Sequence, residues 1–259
     1  MAASERIALS IVVPLYNEAG ALPELVRRCS LAARRLTPQF ELVLVDDGST
    51  DGTAALLAWL GSDPNLGPTL RPVHLATNAG QYAATIAGLR AAHGECVVVL
   101  DGDLQDPPEL IGSLMRALAM HSQTNIAFAV KTARADAAWM RLACGVLGAM
   151  QRWLAPLPTV RGAGSFCAMR RAVALRVLAQ PIANANLGAV LAVLDEPYSV
   201  VTYAKQARAH GNSRVGLFGL FSEAWGSLAV TGALRRLAWL AAACALVVAT
   251  AALAFARSQ

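Results

Sequence analysis

Charge is scarce in this sequence: Asp, Glu, Lys and Arg make up 15% of its 259 residues, against about 25% in an ordinary soluble domain. Aromatic residues stand at 6%, and the first 110 residues contain no lysine. The five cysteines (Cys29, Cys96, Cys144, Cys167, Cys244) form no C-x-x-C pair, and the four histidines show no ligand spacing. Neither a zinc site nor a disulfide framework is supported, and reduced thiols in a cytosolic setting are the expectation. The N-terminal MAASERIALS lacks an apolar h-region, so it reads as unprocessed and the first domain is expected to stay in the cytosol. No internal repeat or low-complexity segment stands out.

Apolar residues are what the chain has in excess, at 56% and a mean hydropathy of +0.45. That excludes intrinsic disorder and argues against a purely soluble enzyme. The surplus has a specific place. Residues 237–256 (LAWLAAACALVVATAALAFA) form an uncharged run of 20, about the length a helix needs to cross the hydrocarbon core. A buried core helix is the competing reading of this Ala-rich stretch. Arg235 and Arg236 before it favour a cytosolic N-terminal side. Residues 217–234 are apolar with few charges and read as an amphipathic helix on a membrane surface. The expected organisation is therefore a first domain over 1–214, an interface helix region over 215–235 and a transmembrane helix over 236–256.

The net charge of +5 conceals an asymmetry: residues 1–110 carry 7 Arg and 13 acids, and residues 111–259 carry 15 Lys and Arg and 4 acids. An acidic first half suits a cation site, and a basic second half suits phosphate groups and an anionic leaflet. Nucleic acid is not an expected partner, because the basic residues lack aromatic interleaving and lead into the apolar run.

Short β-branched runs alternate with helical stretches in the first half. Residues 7–13, 40–45, 72–75 and 96–100 read as buried strands, and 21–36, 51–60 and 81–92 as helices, with Asp51 an N-cap and Gly94 a helix stop. Further on, a helix runs from Pro107-Pro108 to Met120, residues 125–130 are a strand, 135–154 a helix, 165–169 a strand, 172–178 a helix and 198–203 the last strand. The alternation predicts an α/β fold with a doubly wound, mostly parallel sheet, whose ligands bind beyond the carboxyl ends of the strands. Three polar clusters fall there: Tyr16-Asn17-Glu18, Asp46-Asp47-Gly48-Ser49 and Asp101-Gly102-Asp103. They are expected to form one rim.

Asp101-Gly102-Asp103 with Gln105 is the strongest local chemistry. Carboxylates at i and i+2 leaving a strand can converge when the chain turns, and Gly102 is expected to permit that turn. Hard oxygen ligands select Mg²⁺ or Mn²⁺, and such an ion offsets the charge that grows on a departing diphosphate. A lone D-x-D is more often a solvated loop, but its place at the fourth strand end beside a second acidic pair favours a site. Ser49 and Asp51 can be explained as turn and cap. Asp46 is harder to explain so, since it directly follows an apolar strand at the rim.

These motifs together resemble a known family. Val13-Pro14-Leu15-Tyr16-Asn17-Glu18, LVLVDDGSTDGT, Asn78-Ala79-Gly80-Gln81 and Leu100-Asp101-Gly102-Asp103-Leu104-Gln105-Asp106-Pro107-Pro108-Glu109 look like family 2 of the inverting, GT-A-fold glycosyltransferases. The D-x-D-L-Q-D-P-P form is similar to the polyprenyl-phosphate branch, which includes dolichyl-phosphate mannose synthases and bactoprenyl glucosyltransferases. The N-x-G-Q form resembles its undecaprenyl-phosphate formamido-arabinose transferase subgroup. Arg208-Ala209-His210-Gly211-Asn212-Ser213 matches the branch's R-x-x-G-x-S.

The resemblance implies a GT-A domain that takes a nucleotide sugar, UDP-linked by expectation, with Mg²⁺ or Mn²⁺. It implies transfer to polyprenyl (undecaprenyl) phosphate at the bacterial inner membrane, with the catalytic domain cytoplasmic. Pro14, Tyr16, Glu18, Asp46, Gly80 and Asp101 would line the nucleotide pocket. Asp101, Asp103 and Gln105 would serve the metal and diphosphate. Lys131, Arg141, Arg208 and Ser213 would hold the lipid phosphate, with Asp103, Asp101 and Arg141 counted as catalytic. Gly-containing interface helices and one Ala-rich span suit self-association into a homo-oligomer.

Several positions depart from the family pattern. Lys131 stands where relatives usually have Arg, and Gly145 where they often have Ser. Gly164-Ser165-Phe166 carries Ser where many have the acid of G-D-F. Most bacterial relatives have two C-terminal spans, and this sequence has room for one. The alternatives are an acceptor that is a glycan or another lipid, and a catalytically silent membrane scaffold of the same fold.

Overall fold

The computed structural model describes residues 6–63, 66, 69–131, 160, 163–180 and 186–204. The expected helix over 135–154, the interface helix and the transmembrane helix lie outside the described residues. Among those described, no helix is long and apolar enough to cross a membrane.

The first four strands are β1 (Leu9–Leu15), β2 (Phe40–Asp46), β3 (Leu70–His74) and β4 (Cys96–Val99). They are followed by β5 (Ile126–Lys131), β6 (Ala163–Arg170) and β7 (Tyr198–Tyr203). The helices are α1 (Leu22–Arg34), α2 (Thr53–Gly61), α3 (Gln81–Ala91), α4 (Ile111–Met120), α5 (Arg171–Leu178) and α6 (Leu187–Leu194). A 3₁₀ turn at Pro108–Leu110 leads into α4. The strands form one sheet in the order β3-β2-β1-β4-β6-β5-β7. Only β6 runs against the others, pairing antiparallel with both β4 and β5.

Both faces of the sheet are covered, which explains why β1 and β2 are buried along their whole length and mostly apolar on both faces rather than alternating. Leu9, Ile11, Val13 and Leu15 turn to one side, with Leu22 and Leu25 of α1, Leu57 of α2, and Ile111 and Leu114 of α4. Val12, Val43 and Val45 turn to the other, with Ala84 and Leu89 of α3, Val173 and Val177 of α5, and Val190 and Leu191 of α6. This is the period of two of a strand, read out into two separate cores. Gly88 of α3 is the close point of that packing: a Cβ there would sit 2.4 Å from Val12 Cγ1.

Element positions agree with the sequence reading to within about two residues, with four differences. Gly94 is not the stop of α3, which ends at Ala91; its amide instead donates to Ser10 Oγ at 2.7 Å. The N-cap position of α2 is Gly52, while Asp51 accepts from the Thr53 amide at 2.9 Å and from the Ala19 amide at 3.2 Å. Asp51 thus ties the helix start to the loop after β1. Helix α6 was not expected; its cue is Asn186, whose Oδ1 accepts from the Ala189 amide at 2.8 Å as an N-cap. The fourth difference is the part played by Gly102, described below.

Candidate active site

The carboxyl ends of six strands share one edge of the sheet, and antiparallel β6 brings its N-terminal end to the same edge. The rim is built from the residues that follow. Leu15 of β1 pairs with Asp46 of β2, and the Asp47 amide donates to the Leu15 carbonyl at 2.8 Å. Asn17, in the left-handed region at φ 55°, accepts through Oδ1 from the amides of Thr50 (2.7 Å) and Asp51 (3.3 Å). Its own amide donates to Ser49 Oγ at 2.9 Å, and the Glu18 amide donates to Thr53 Oγ1 at 3.0 Å. The first two polar clusters are therefore one hydrogen-bonded unit.

Asp46 is buried. Its Oδ1 accepts from the Ser49 amide at 3.0 Å, and its Oδ2 lies 3.4 Å from His74 Nδ1. One oxygen thus closes the turn while the other faces the end of β3. Asp47, also buried, was given no role in the sequence reading. Its two oxygens accept from the Ala79 and Gly80 amides at 2.7 and 2.9 Å, so it holds the Asn78–Gln81 loop against the end of β2. Gly48 makes that contact possible: at φ +66° its missing Cβ would lie 2.7 Å from the Asn78 nitrogen. Gly80 has φ +91° and sits at the N-cap of α3. Pro14 is buried in β1 and Tyr16 is 37% exposed at the rim.

The third cluster joins the first through Gly102. Its φ is not in the left-handed region; what it supplies is room, since a Cβ would meet Leu15 Cδ2 at 2.6 Å and the Pro14 carbonyl oxygen at 3.2 Å. The turn itself is made by Leu104, at φ 60°, a strained conformation for a branched residue. Its side chain is buried in the core, which anchors the loop between the half-exposed Asp103 and Gln105. The Gln105 amide donates to Asp103 Oδ1 at 3.1 Å. The Arg28 guanidinium grips Glu109 at two points, 2.8 and 2.6 Å, fixing the far end of the loop to α1.

Asp101 accepts at Oδ1 from Gln81 Nε2 (2.6 Å) and from Ser165 Oγ (2.7 Å). The register of β4 with β6 runs to Val99 opposite Cys167, and two residues further puts Asp101 opposite Ser165. Desolvation pushes the Asp101 carboxyl up to about 6. The Asp106 and Asp103 carboxylates add to the shift, and the Ser165 hydrogen bond and Lys131 oppose it. Lys131 and Tyr203 are register partners at the ends of β5 and β7, and both reach buried Asp106. Lys131 Nζ lies 3.5 Å from Asp106 Oδ1, and the Tyr203 hydroxyl donates to the same oxygen. Burial and then that contact raise the Tyr203 phenol well above its ordinary value, so it stays a donor. Asp106 and Tyr203 were missed as site residues; the signal was the third acid of D-G-D-L-Q-D.

The structure thus gathers Pro14, Tyr16, Glu18, Asp46, Gly80, Asp101, Asp103, Gln105 and Lys131 at one edge. Arg141, Arg208 and Ser213 lie outside the described residues. Among the described residues no three His, Cys, Asp or Glu side chains form a ready-made metal centre. The carboxylate oxygens of Asp101 and Asp103 do fit a hard divalent ion of the Mg²⁺ class, which is usually held by one or two carboxylates with phosphates of the substrate completing its shell. The raised Asp101 carboxyl, with the Asp106 and Asp103 carboxylates beside it, marks a place where added positive charge is favourable.

Residues 10–178 match the family model described as Glycosyl transferase family 2. The chain is 42% identical over 133 residues to an undecaprenyl-phosphate 4-deoxy-4-formamido-L-arabinose transferase of Pseudomonas paraeruginosa, covering 51% of this chain and 38% of that protein. It spans less than half the length of the curated relatives it matches. Glucosyl-3-phosphoglycerate synthase from Mycobacterium tuberculosis, solved with Mn²⁺, UDP and glucosyl-3-phosphoglycerate, superposes with a TM-score of 0.63 at 20% identity over 87% of this chain and 80% of that one. The mannosyltransferase PcManGT from Pyrobaculum calidifontis, solved with GDP-Man and Mn²⁺, gives 0.55 at 23% identity over 97% and 81%. The two structures establish the fold, an α/β GT-A-like sheet.

Proposed function

Because the chain belongs to glycosyl transferase family 2, we propose that it moves a sugar from a nucleotide sugar, UDP-linked, to the phosphate of polyprenyl phosphate, with inversion at the anomeric carbon. The observation that carries this reading is the meeting of three motif clusters and Lys131 on one rim, in a chain whose curated relatives are named for transfer to undecaprenyl phosphate.

The proposed roles follow the sequence motifs and, for the described residues, their place on the rim. Pro14, Tyr16, Glu18, Asp46 and Gly80 form the nucleotide side, and Asp47 keeps the Gly80 loop in place. Asp101, Asp103 and Gln105 face the diphosphate and would hold Mg²⁺ or Mn²⁺; when bound, that ion offsets negative charge on the departing nucleoside diphosphate. Lys131, with Arg141 and Arg208, neutralises the incoming lipid phosphate, and Ser213 hydrogen-bonds beside it. A phosphate oxygen forms the new bond to the anomeric carbon. The bond from that carbon to the donor diphosphate breaks, and its electron pair leaves with the nucleoside diphosphate.

No base is required. The acceptor's second pKa is about 6, so its oxygen is already ionised at neutral pH. Ser165 is not a base either, since its proton is directed at Asp101. Catalysis then rests on positioning and charge. The interface helix over 215–235 and the span over 236–256 would present this rim to the inner leaflet from the cytoplasmic side of the bacterial inner membrane, in a chain suited to homo-oligomers.

The test is direct. Full-length protein in detergent is incubated with undecaprenyl phosphate, Mn²⁺ and a panel of labelled nucleotide sugars. An acid-labile prenyl-phosphate sugar is the expected product. Label that appears only in glycan or in a base-stable lipid would assign another acceptor, and no transfer with any donor would leave a silent scaffold.

A further inference from the structure

Asp101 receives two hydrogen bonds at one oxygen and none at the other. Gln81 Nε2 and Ser165 Oγ both donate to Oδ1, at 2.6 and 2.7 Å, while among the described residues Oδ2 accepts no hydrogen bond. A carboxylate oxygen offers about two lone-pair directions, so Oδ1 is filled and Oδ2 is open.

Both donors are themselves fixed. Gln81 is the first residue of α3. The two amides before it, Ala79 and Gly80, are pinned by the Asp47 carboxylate at 2.7 and 2.9 Å. Ser165 lies on β6, whose antiparallel register to β4 holds from Cys96 to Val99. The carboxylate accepts only, so the amide nitrogen of Gln81 is the atom that must face it. The result is a continuous relay from the end of β2, through the Asn78–Gln81 loop, to the acid after β4.

We propose that Gln81 and Ser165 are positioning residues that saturate Oδ1 of Asp101, so that this acid meets the donor's diphosphate and its cation through Oδ2 alone. The inference rests on the functional reading above and deepens it. A free aspartate rotates and can offer either oxygen or both. One with Oδ1 held from two elements offers a single oxygen in a fixed direction, which is the kind of preorganisation that favours a metal–diphosphate group over water. It also assigns Ser165 a task that an acid could not do, because a carboxylate at that place would be set against Asp101 within hydrogen-bonding distance.

The experiment measures binding, not turnover. UDP affinity of the full chain in detergent is determined by calorimetry with and without Mn²⁺, and Mn²⁺ affinity in the presence of UDP by electron paramagnetic resonance. Loss of one hydrogen bond to a charged group corresponds to about a tenfold change. Gln81→Leu and Ser165→Ala are therefore each expected to weaken Mn²⁺-dependent UDP binding about tenfold, with metal-free UDP affinity unchanged. Ser165→Thr, which keeps the hydroxyl, restores binding, and Ser165→Asp weakens it more than Ser165→Ala. Gln81 is an exposed side chain, so Gln81→Leu reads the effect even where changes on β6 disturb folding. Unchanged Mn²⁺-dependent affinity in Gln81→Leu and Ser165→Ala overturns the inference while wild-type binding leaves the functional reading standing. Wild-type protein that binds neither UDP nor Mn²⁺ overturns both.

Discussion

The hydroxyl of Tyr203 donates to Oδ1 of Asp106, joining the end of β7 to the loop after β4 across 97 positions of sequence. Lys131, the register partner of Tyr203, lies 3.5 Å from the same oxygen. The acidic loop is thereby fastened to the far half of the sheet by a buried donor and a cation.

Tyr203→Phe removes one of those two fasteners and leaves a buried carboxylate short of a donor. The expected cost is about 1–3 kcal/mol of unfolding free energy, read by urea titration. Asp106→Asn can still accept from the phenol, so it is expected to cost less stability than Tyr203→Phe. The reverse order would show that the pair does not fasten the loop.

Asp103→Ala is expected to abolish sugar transfer while leaving the fold intact, because its half-exposed side chain contributes little to either core. Circular dichroism and thermal unfolding check the fold, and a transfer assay with Mn²⁺ checks activity. Full activity in this variant would remove the divalent ion from the mechanism.

Gly48→Ala forces a Cβ to within 2.7 Å of the backbone of Thr77 and Asn78, at a φ of +66°. The loop pinned by Asp47 must then shift. Donor nucleotide affinity is expected to fall about tenfold or more, with a stability loss of about 1–3 kcal/mol. Gly61→Ala is the control, since nothing lies within 4 Å of its added Cβ; it should leave binding as it is.

Glu41 is buried at the opposite edge of the sheet. It accepts from Ser10 Oγ (2.6 Å), the His93 amide (2.6 Å) and Arg71 Nε (2.8 Å). Burial alone would raise its carboxyl, but these donors together hold it below the ordinary glutamate range. A pKa lowered in the folded state gives stability that is fully present above the unfolded value, about 4.3, and is lost as pH falls through the folded value. Glu41→Gln should therefore be clearly less stable than wild type at pH 7, and the gap should narrow below about pH 4. A gap of equal size in urea titrations at neutral and acid pH would contradict this account.

Much of the rim was legible because parallel α/β sheets put ligand residues after strands, and the apolar runs that mark those strands are unambiguous. Asp46, Asp101 and Asp103 could be placed from that rule alone. Asp47 and Asp106 could not be separated from their neighbours, since a pair or triplet of acids in a loop gives no sign of which member points inward. Gly102 was misread for a related reason: a glycine beside two acids suggests a turn, but its value is the closeness of Leu15 and Pro14, a contact between elements far apart in sequence. Helix α6 is apolar on nearly every side, with Leu187, Ala189, Val190, Leu191, Ala192 and Leu194 all buried, and so gives no amphipathic period to read.

Local pattern was enough to set the strand–helix alternation, the asymmetry of charge and the motifs, because backbone preference, hydrophobic period and residue chemistry act over a few neighbours. The reversal of β6, the pairing of Lys131 with Tyr203 and the meeting of Gln81 and Ser165 at one oxygen of Asp101 depend on strand order and register. Those are chosen by which faces of the whole chain bury each other best, and no window of sequence contains that sum.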